Sequence, residues 1–356
     1  MSGKRALVFI LPGLGDAIVS EPIINGLMAE HWTIDALTML DAVAVFAEQL
    51  NIFDHVVNVP LLTNQLGSIR GVLQLWSKNY DVVVLPFPAT RWQYALLGRI
   101  VARNILVMHD YGGMSSIIAR TGRSTLQILR GGHRIAENGR LASAMGLPKY
   151  DEFLPLIPTQ WTAKEQQDVI AIHTGTMQYK GNESRRWPFE NFISLMRAQI
   201  KKGRRLRVFA GPFESEDVAA IRNAIDSPHL EIVQSSLPIA AASLANCRLF
   251  IGNDSGMAHV AAALGVQTLT LFGMTNPVRA TPLGLSRALR PSACPPCHDE
   301  GSKAFECCLG IDYRCSKVDL SVEYVISAVD DAIENGVDRF VPQITGDARL
   351  YGKAIS

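Results

Sequence analysis

The chain has 356 residues, more than one ordinary domain core holds, so we expect two domains of roughly 100–150 residues each. Hydrophobic residues make up 48% and charged residues 19%, a composition typical of a folded protein and not of a disordered one. The net charge of +1 provides no overall attraction for nucleic acid. No apolar run approaches the roughly 20 residues of a membrane span. The first run, 6–11, ends in a glycine turn without a small-residue cleavage site, which predicts a strand and a cytoplasmic protein.

Two series of predicted strands alternate with helical patterns along the chain. The strands are predicted at 5–11, 33–40, 55–60, 80–86, 104–108, 168–175, 204–211, 230–235, 248–254 and 267–273. Helical spacing is found over 17–31, over 188–202 with Gly203 as the stop, and over 319–335. A proline-rich stretch, 147–160, separates the two series and predicts a linker.

This alternation predicts an α/β protein built from two Rossmann-like, doubly wound parallel sheets that face each other across a cleft. We expect an N-terminal domain over 1–150, a C-terminal domain over 151–335, and a tail over 336–356 that packs back on the N-terminal domain. Ligands of such sheets bind beyond the carboxyl ends of the strands, which directs attention to the residues that follow each strand.

The first strand is followed by Pro-Gly-Leu-Gly-Asp, residues 12–16. Gly13 and Gly15 match the start of a dinucleotide fingerprint, but Ile18 stands at its third glycine, and a Walker lysine is absent. The stretch instead places Asp16 at the carboxyl edge of the sheet. Asp16 is a candidate base there or simply a helix N-cap, and a helix start favours its charged form while making it a weaker base.

The strand at 248–254 ends in Asn-Asp-Ser-Gly, after which a helix of small residues begins. Free N–H groups at a helix start bind anions, Gly256 lets a phosphate approach closely, and Ser255 adds a hydroxyl donor. Asp254 would cap the helix or bind a ribose. His259 lies one turn further along, on the same helix face as Ser255. The alternative is a capped, buried helix with a packed histidine.

The strand at 168–175 ends in His-Thr-Gly, and a polar loop with Lys180, Arg185 and Arg186 follows. Cations at this edge would suit a diphosphate, since arginine offers a two-pronged donor to phosphate oxygens. The alternative is a solvated charged loop, which is the favoured interpretation for Lys180.

Four stretches together resemble glycosyltransferase family 9, the heptosyltransferases of lipopolysaccharide synthesis. They are PGLGDAIVSEP, HTG with the following RRWPFENF, AGPFESED, and NDSGMAHVAAALGVQTLTLFG, in an order and spacing that match over roughly residues 4–335. The DSGxxH segment is the most specific of them, and HRIAENGRLASAMGLP also resembles the family's last stretch before its interdomain linker.

The resemblance implies a GT-B fold with an acceptor-binding N-terminal domain and a nucleotide-sugar-binding C-terminal domain. It implies transfer from an ADP-sugar, typically ADP-L-glycero-β-D-manno-heptose, with inversion and without a catalytic metal or other cofactor. Asp16 matches the family's general base, and Arg185 stands where the family usually has lysine, so the charge is kept but its shape changes. The implied donor-binding residues are Gly15, Thr174, Gly175, Arg185, Arg186, Gly211, Glu214 (or Glu216), Asp254, Ser255, Gly256 and His259.

The segment 78–140 is basic, with nine lysines and arginines against three acids, a local charge of +6 in a nearly neutral chain. Such a region could draw the protein to an anionic glycan or glycolipid acceptor, or to anionic headgroups at the inner face of the membrane. That contact would be peripheral and sensitive to salt. The alternative is a set of scattered solvated arginines.

Five of the six cysteines lie within one segment, and Cys247 stands apart. The clustered cysteines are Cys294, Cys297, Cys307, Cys308 and Cys315. Their spacing permits a structural zinc or iron site, whereas reduced thiols are the favoured interpretation and disulfides the least favoured.

Two other functions remain open at this stage. An NAD-type oxidoreductase or epimerase would need the complete glycine fingerprint, which is missing. A GT-B protein with another donor or acceptor would keep the fold. A nucleotide-sugar sensor or lipid-surface binding protein without transferase activity would also keep the fold, but it would not need Asp16 as a base.

Overall fold

The computed structural model describes residues 3–10, 13–59, 65–148, 153–162, 165–176, 185–291 and 314–345, with the side chains of 65–67 excepted. These residues form two compact units. The first contains the described residues up to Pro158 together with those from Pro342 onward, and the second contains the described residues between Thr159 and Val341. The predicted boundaries at 150 and 335 are therefore displaced, because 153–158 belong to the first unit and 336–341 to the second.

Each unit contains one six-stranded sheet. The strands of the first sheet are β1 (Arg5–Ile10), β2 (Thr33–Thr38), β3 (His55–Asn58), β4 (Val82–Val84), β5 (Ile105–His109) and β6 (Ser124–Gln127). The strands of the second are β7 (Gln167–His173), β8 (Arg205–Ala210), β9 (Leu230–Gln234), β10 (Cys247–Asn253), β11 (Gln267–Leu271) and β12 (Ser286–Leu289). The prediction of an α/β fold with two Rossmann-like parallel sheets is confirmed.

The two sheets share one strand order. The first runs β3-β2-β1-β4-β5-β6, and the second runs β12-β11-β10-β7-β8-β9, which is the same order when each unit's strands are counted from its own first strand. All the pairings are parallel. The order reverses between β1 and β4 and again between β7 and β10, and this reversal point is where ligands of such sheets bind.

The helices cover both sheets. Those of the first unit are α1 (Leu14–Ile18), α2 (Glu21–Ala29), α3 (Asp41–Leu50), α4 (Gln65–Trp76), α5 (Trp92–Val101), α6 (Gly113–Ala119) and α7 (Arg134–Ala144). Those of the second are α8 (Phe189–Lys201), α9 (Ser215–Ala224), α10 (Leu237–Ala245), α11 (Gly256–Ala263), α12 (Pro277–Ala280), α13 (Arg314–Lys317) and α14 (Val322–Asn335), after a 3-10 turn at Thr159–Trp161. Within the described ranges, no helix is long and apolar enough to cross a membrane.

The predicted helix over 17–31 is in fact two helices, α1 and α2. The break falls at Val19 and Ser20, and the Ser20 hydroxyl donates a 2.6 Å hydrogen bond to the carbonyl oxygen of Ala17. Pro22 stands in the first turn of α2, where its missing N–H is tolerated. A continuous helix would instead require that N–H and would bring the proline ring against the preceding turn.

The part of the described C-terminal tail from Pro342 onward packs on the first unit. The N–H of His133 donates to the carbonyl oxygen of Gln343 at 2.8 Å, and Arg140 donates from Nη1 to that of Ile344 at 2.8 Å. A Cβ atom on Gly132 would lie 2.3 Å from the Ile344 oxygen, so only glycine permits this approach. Residues 346–356 of the predicted tail lie outside the described residues.

Candidate active site

The carboxyl ends of strands β7 and β10 lie side by side at the reversal point of the second sheet. Gly252 of β10 is paired with His173 of β7, so the residues that follow both strands emerge side by side. Asn253 is fully buried and joins them, since its side-chain amide nitrogen donates a 2.7 Å hydrogen bond to the carbonyl oxygen of Thr174. Its side-chain oxygen accepts from the N–H of Trp187 at 2.8 Å. One asparagine therefore holds the two strand ends and the segment carrying the two predicted arginines.

Trp187 fixes that segment in the core of the unit. The side chain is 2% exposed, packs edge-on against Phe192 with ring centroids 4.9 Å apart, and donates its indole N–H to Leu320 at 2.7 Å. Its neighbours Arg185 and Arg186 are consequently anchored at the edge of the sheet. The alternative of a solvated charged loop does not apply to these two arginines. Lys180 lies outside the described residues.

Arg185 forms an ion pair with Asp254, whose side chain is only 6% exposed. Asp254 is therefore a partner of the arginine and not the cap of helix α11, which is Ser255. Within the described part of the chain, Nε of Arg185 is buried without a hydrogen-bond partner. The arginine is thus held in place by one carboxylate while part of its donor capacity remains available.

Helix α11 begins without a side-chain cap. Ser255 has extended backbone angles and makes no capping hydrogen bond, so the interpretation of an ordinary capped helix is wrong. Its hydroxyl oxygen is buried and has no hydrogen-bond partner among the described residues. The free N–H groups from Gly256 onward and this hydroxyl form a set of donors suited to an anion. His259, one turn further, is 3% exposed and packs inside the unit.

Glu214 lies beside the backbone that follows β7. Its Oε2 accepts the N–H of Gly211 at 2.6 Å and lies 3.4 Å from Nε2 of His173. A Cβ atom on Gly175 would lie 1.5 Å from Oε1 of Glu214, so this carboxylate occupies the space of a missing side chain. The sequence predicts Gly175 and Glu214 as site residues but does not indicate that they are in contact. Glu216 is exposed in the first turn of α9.

The pKa of Glu214 is lowered from its ordinary value. Burial alone would raise it, but the hydrogen bond and positive charge of His173, the N–H of Gly211 and the charge of Arg186 outweigh burial. The carboxylate is therefore held ionised at the edge of the sheet. The sequence identifies His173 only as the end of a strand. In the described structure its Nδ1 is buried without a hydrogen-bond partner.

Arg186 is held by a residue that the sequence analysis missed. Its Nη2 donates to Asp217 at 2.6 Å, and Asp217 also accepts from the Thr174 hydroxyl at 3.2 Å. Asp217 stands in the first turn of α9, three residues after Glu214. The acidic pair at this helix start was the available signal, but only the topology shows that α9 begins beside β7.

Asp16 lies at the reversal point of the first sheet, after β1. It is in the first turn of α1, whose N-cap is Gly13, so the alternative of an aspartate N-cap is wrong. Arg134, at the start of α7, donates to Oδ1 of Asp16 at 3.1 Å, and both side chains are largely buried, at 12% and 15% exposure. Sequence reasoning missed Arg134, because the preceding strand β6 was not predicted. Gly15 is buried in α1.

The described residues contain one group with metal-ligand types in reach of each other, formed by Asp35, Asp54 and His55. It lies at the opposite edge of the first sheet from Asp16, since His55 begins β3. Arg5 pairs with both carboxylates, and Lys78 lies 3.4 Å from that of Asp35. With two cations already paired, the group is an ion-pair network. Of the clustered cysteines, Cys315 is buried in α13, and the other four lie outside the described residues.

Two Rossmann-like units, each with polar side chains gathered at the reversal point of its own sheet, are typical of the GT-B fold. The family model "Glycosyltransferase family 9 (heptosyltransferase)" matches residues 74–304. The chain therefore belongs to glycosyltransferase family 9 and is a glycosyltransferase.

Three comparisons illustrate the relationship. Lipopolysaccharide heptosyltransferase 3 of Escherichia coli is 22% identical over 283 residues, covering 74% of this chain and 81% of that protein. The E. coli heptosyltransferase WaaC with ADP superimposes with a TM-score of 0.70 at 18% identity, over 93% of this chain and 98% of that one. WaaC with ADP-2-deoxy-2-fluoro heptose gives 0.70 at 18%, over 92% and 99%.

Proposed function

We propose that this glycosyltransferase transfers a heptose from an ADP-heptose donor to a saccharide of the lipopolysaccharide core, with inversion at the anomeric carbon. One observation carries the proposal. At the reversal point of the second sheet, the start of α11, the Ser255 hydroxyl and Nε of Arg185 form a cluster of hydrogen-bond donors, and the last two have no partner among the described residues. A diphosphate offers the acceptor oxygens that such a cluster lacks.

The diphosphate of the donor would lie at the start of α11. Its oxygens would accept from the N–H groups following Ser255, from the hydroxyl of Ser255 and from the guanidinium groups of Arg185 and Arg186. As the sugar leaves, negative charge grows on the terminal phosphate, and donors fixed in advance stabilise that charge without reorganising. Asp254 and Asp217 hold the two arginines in position before the donor binds.

Glu214 and Gly175 would form the neighbouring part of the donor site. The ionised Glu214 carboxylate can accept hydrogen bonds from ribose hydroxyls or from the base, and it is held against Gly175 by the Gly211 N–H and His173. Thr174 is buried at the same strand edge, where its hydroxyl donates a hydrogen bond to Asp217. These assignments follow the family resemblance and are supported by the position of each residue after β7 or β8.

Asp16 would act as the general base. It accepts the proton of the acceptor hydroxyl while that oxygen forms a bond to the anomeric carbon, and the bond from that carbon to the diphosphate breaks, releasing ADP from the opposite face. Arg134 is a positioning residue, because it donates a hydrogen bond to one carboxylate oxygen and so fixes the orientation of the side chain. A base placed in this way typically contributes 10²–10⁴-fold to the rate.

The acceptor and the surroundings follow from the same proposal. A core saccharide carrying acidic sugars or phosphates is anionic, which fits the basic segment 78–140. Because that acceptor is lipid-linked, the protein would work at the inner face of the membrane through peripheral contact. In the proposed mechanism the residues named above carry out the transfer without a metal ion. A structural zinc or iron at the cysteine cluster stays a prediction.

Thermal unfolding with ADP, UDP, GDP, CMP and NAD tests the donor assignment. A ligand at 100 times its dissociation constant should stabilise the protein by about 2.7 kcal/mol. We expect ADP to raise the Tm and the others to have little effect, and Arg185→Met to lose the ADP response. Arg287→Met is the matched control, since Arg287 pairs with Asp331 on the same unit outside the cluster. A larger shift with UDP, GDP or NAD would contradict the ADP-sugar assignment.

A further inference from the structure

Three neighbouring helices of the first unit, α4, α5 and α6, carry exposed apolar side chains in regular rows. The row on α4 is Ile69, Leu73 and Trp76, the row on α5 is Trp92, Leu96 and Ile100, and α6 adds Met114 and Ile117, all between 40% and 60% exposed. The spacings of three and four residues place each row on one helix face. Isolated apolar side chains at a surface are ordinary, but three aligned rows form a patch that requires an explanation.

The three rows belong to one continuous surface. Helix α5 packs against both α4 and α6. Their inner faces, through Leu75, Leu97 and Ala119, enter the same core cluster against the sheet. The opposite faces of all three helices must therefore point outward together, away from the sheet. We call this outer face of α4, α5 and α6 the three-helix face.

The segment that carries this surface is basic, and its exposed cations include Arg70, Arg91, Arg103 and Arg123. Between residues 68 and 128 there are seven lysines and arginines and two acids, a net charge of +5 in a chain whose total is +1. One of the acids, Asp110, is paired with Arg120. The guanidinium of Arg103 lies 4.4 Å from the ring centroid of the exposed Trp76. Apolar rows bordered by cations are complementary to a bilayer with anionic headgroups, where tryptophan and arginine favour the interface.

We propose that the three-helix face docks on an anionic lipid bilayer. The apolar rows insert at the level of the headgroups, and Arg70, Arg91, Arg103 and Arg123 contact lipid phosphates. Helices α5 and α6 begin just after the carboxyl ends of β4 and β5. Trp92 and Met114 therefore lie at the edge of the sheet that also carries Asp16. Resting on the proposed function, this orientation presents the base to an acceptor whose lipid end stays in the same membrane.

Vesicle co-sedimentation tests the proposal. The probes are vesicles of phosphatidylcholine with phosphatidylglycerol and vesicles of phosphatidylcholine alone, at low and high salt. We expect binding to the anionic vesicles and a loss of binding near 1 M salt, where the screening length falls to about 3 Å. The double variant Leu96→Glu with Ile100→Glu should lower the partition coefficient by about tenfold or more. Ile117→Glu on α6 should lower it as well, by a smaller factor.

Ile239→Glu is the matched control for Ile117→Glu, because Ile239 is 62% exposed on α10 of the second unit and its replacement introduces the same single negative charge. The far-ultraviolet circular dichroism and the Tm of each variant establish that it folds. Unchanged vesicle binding by both the double variant and Ile117→Glu would overturn the proposal. So would a wild-type dimer, seen by sedimentation velocity, that the double variant converts to monomers, since a second copy would then cover the three-helix face.

Vesicle binding requires neither donor nor turnover, so the two proposals fail separately. If transfer to a water-soluble acceptor fragment is retained while the variants lose vesicle binding, both proposals stand. If the wild-type protein binds vesicles but releases no ADP from ADP-heptose, the proposed function is wrong and the docking surface remains.

Discussion

The two units share one strand order but differ in what they place at its reversal point. The first unit presents the carboxylate of Asp16, which is paired with Arg134. The second presents two arginines, each with its own carboxylate, beside an uncapped helix start and a buried hydroxyl. A positioned carboxylate is suited to moving a proton, whereas a cluster of hydrogen-bond donors is suited to holding a diphosphate. Under the proposed function, one scaffold thus serves two chemical tasks, because the residues after its strands differ.

The largest effect expected from this division concerns Asp16. Asp16→Asn removes the base but keeps the shape and the hydrogen bond to Arg134, so kcat should fall by about 10²–10⁴-fold. ADP affinity should change less than twofold, because the donor cluster belongs to the second unit. Acceptor-dependent release of ADP and calorimetric titration with ADP measure the two quantities. A variant with near-normal kcat would show that the first unit holds no base.

Arg185→Met should have the next largest effect, with the opposite signature. Under the proposed function it removes a donor to the diphosphate, and it also removes the ion pair with Asp254, whose side chain is 6% exposed. We therefore expect kcat/KM to fall by about 10²–10³-fold and ADP affinity to fall too. Arg185→Lys keeps the charge but not the two-pronged geometry, and it should recover part of the loss. Equal kinetics for Arg185→Met and the wild type would remove this arginine from the donor site.

Gly175→Ala tests how closely the second cluster is packed. The new Cβ would meet Glu214 at 1.5 Å, so the carboxylate must move away and ADP affinity should fall by about tenfold. If the clash is the cause, Glu214→Ala alone and the double variant Gly175→Ala with Glu214→Ala should bind ADP equally. A further loss in the double variant would mean that Gly175 acts through its own backbone and not through Glu214.

Much of this arrangement follows from the sequence, because strand ends in parallel sheets mark the ligand edge. Asp16 and Ser255 were identified in this way, as residues that directly follow an apolar strand. The partners Arg134 and Asp217 were not, since each comes from a helix brought to the edge by the strand order. Strand order is set by packing between distant segments, which one sequence does not display.

The missed strands have a local explanation. β6 is half-buried along its whole length, and β12 is half-buried at its two central residues. Both lie at the edges of their sheets. An edge strand needs no continuous apolar run, so STLQ and SRAL give little signal. The same omission hid Arg134, because the helix that follows β6 could not be placed at the carboxyl edge.

An effect on stability alone is expected at Glu21, which is 2% exposed at the start of α2 in the first unit. Burial raises its pKa from 4.5 to about 7, against the hydrogen bond from Asn25. Between these values the folded state holds a proton that the unfolded state has released, so stability falls as pH rises through this window. Glu21→Gln should therefore raise the unfolding free energy by about 1–3 kcal/mol at pH 8 and hardly at pH 4.5. Urea denaturation at the two pH values measures this, and equal effects at both would contradict a buried, protonated Glu21.

The anomeric configuration of the product tests the central claim most directly. The wild-type protein would be given the β-configured ADP-heptose and a core acceptor, and the new linkage would be assigned by NMR from the coupling at its anomeric carbon. A single displacement, with Asp16 as base on one side and the diphosphate leaving on the other, predicts an α-linked product. A β-linked product would require a second displacement through a covalent intermediate, and it would contradict the roles assigned to both units.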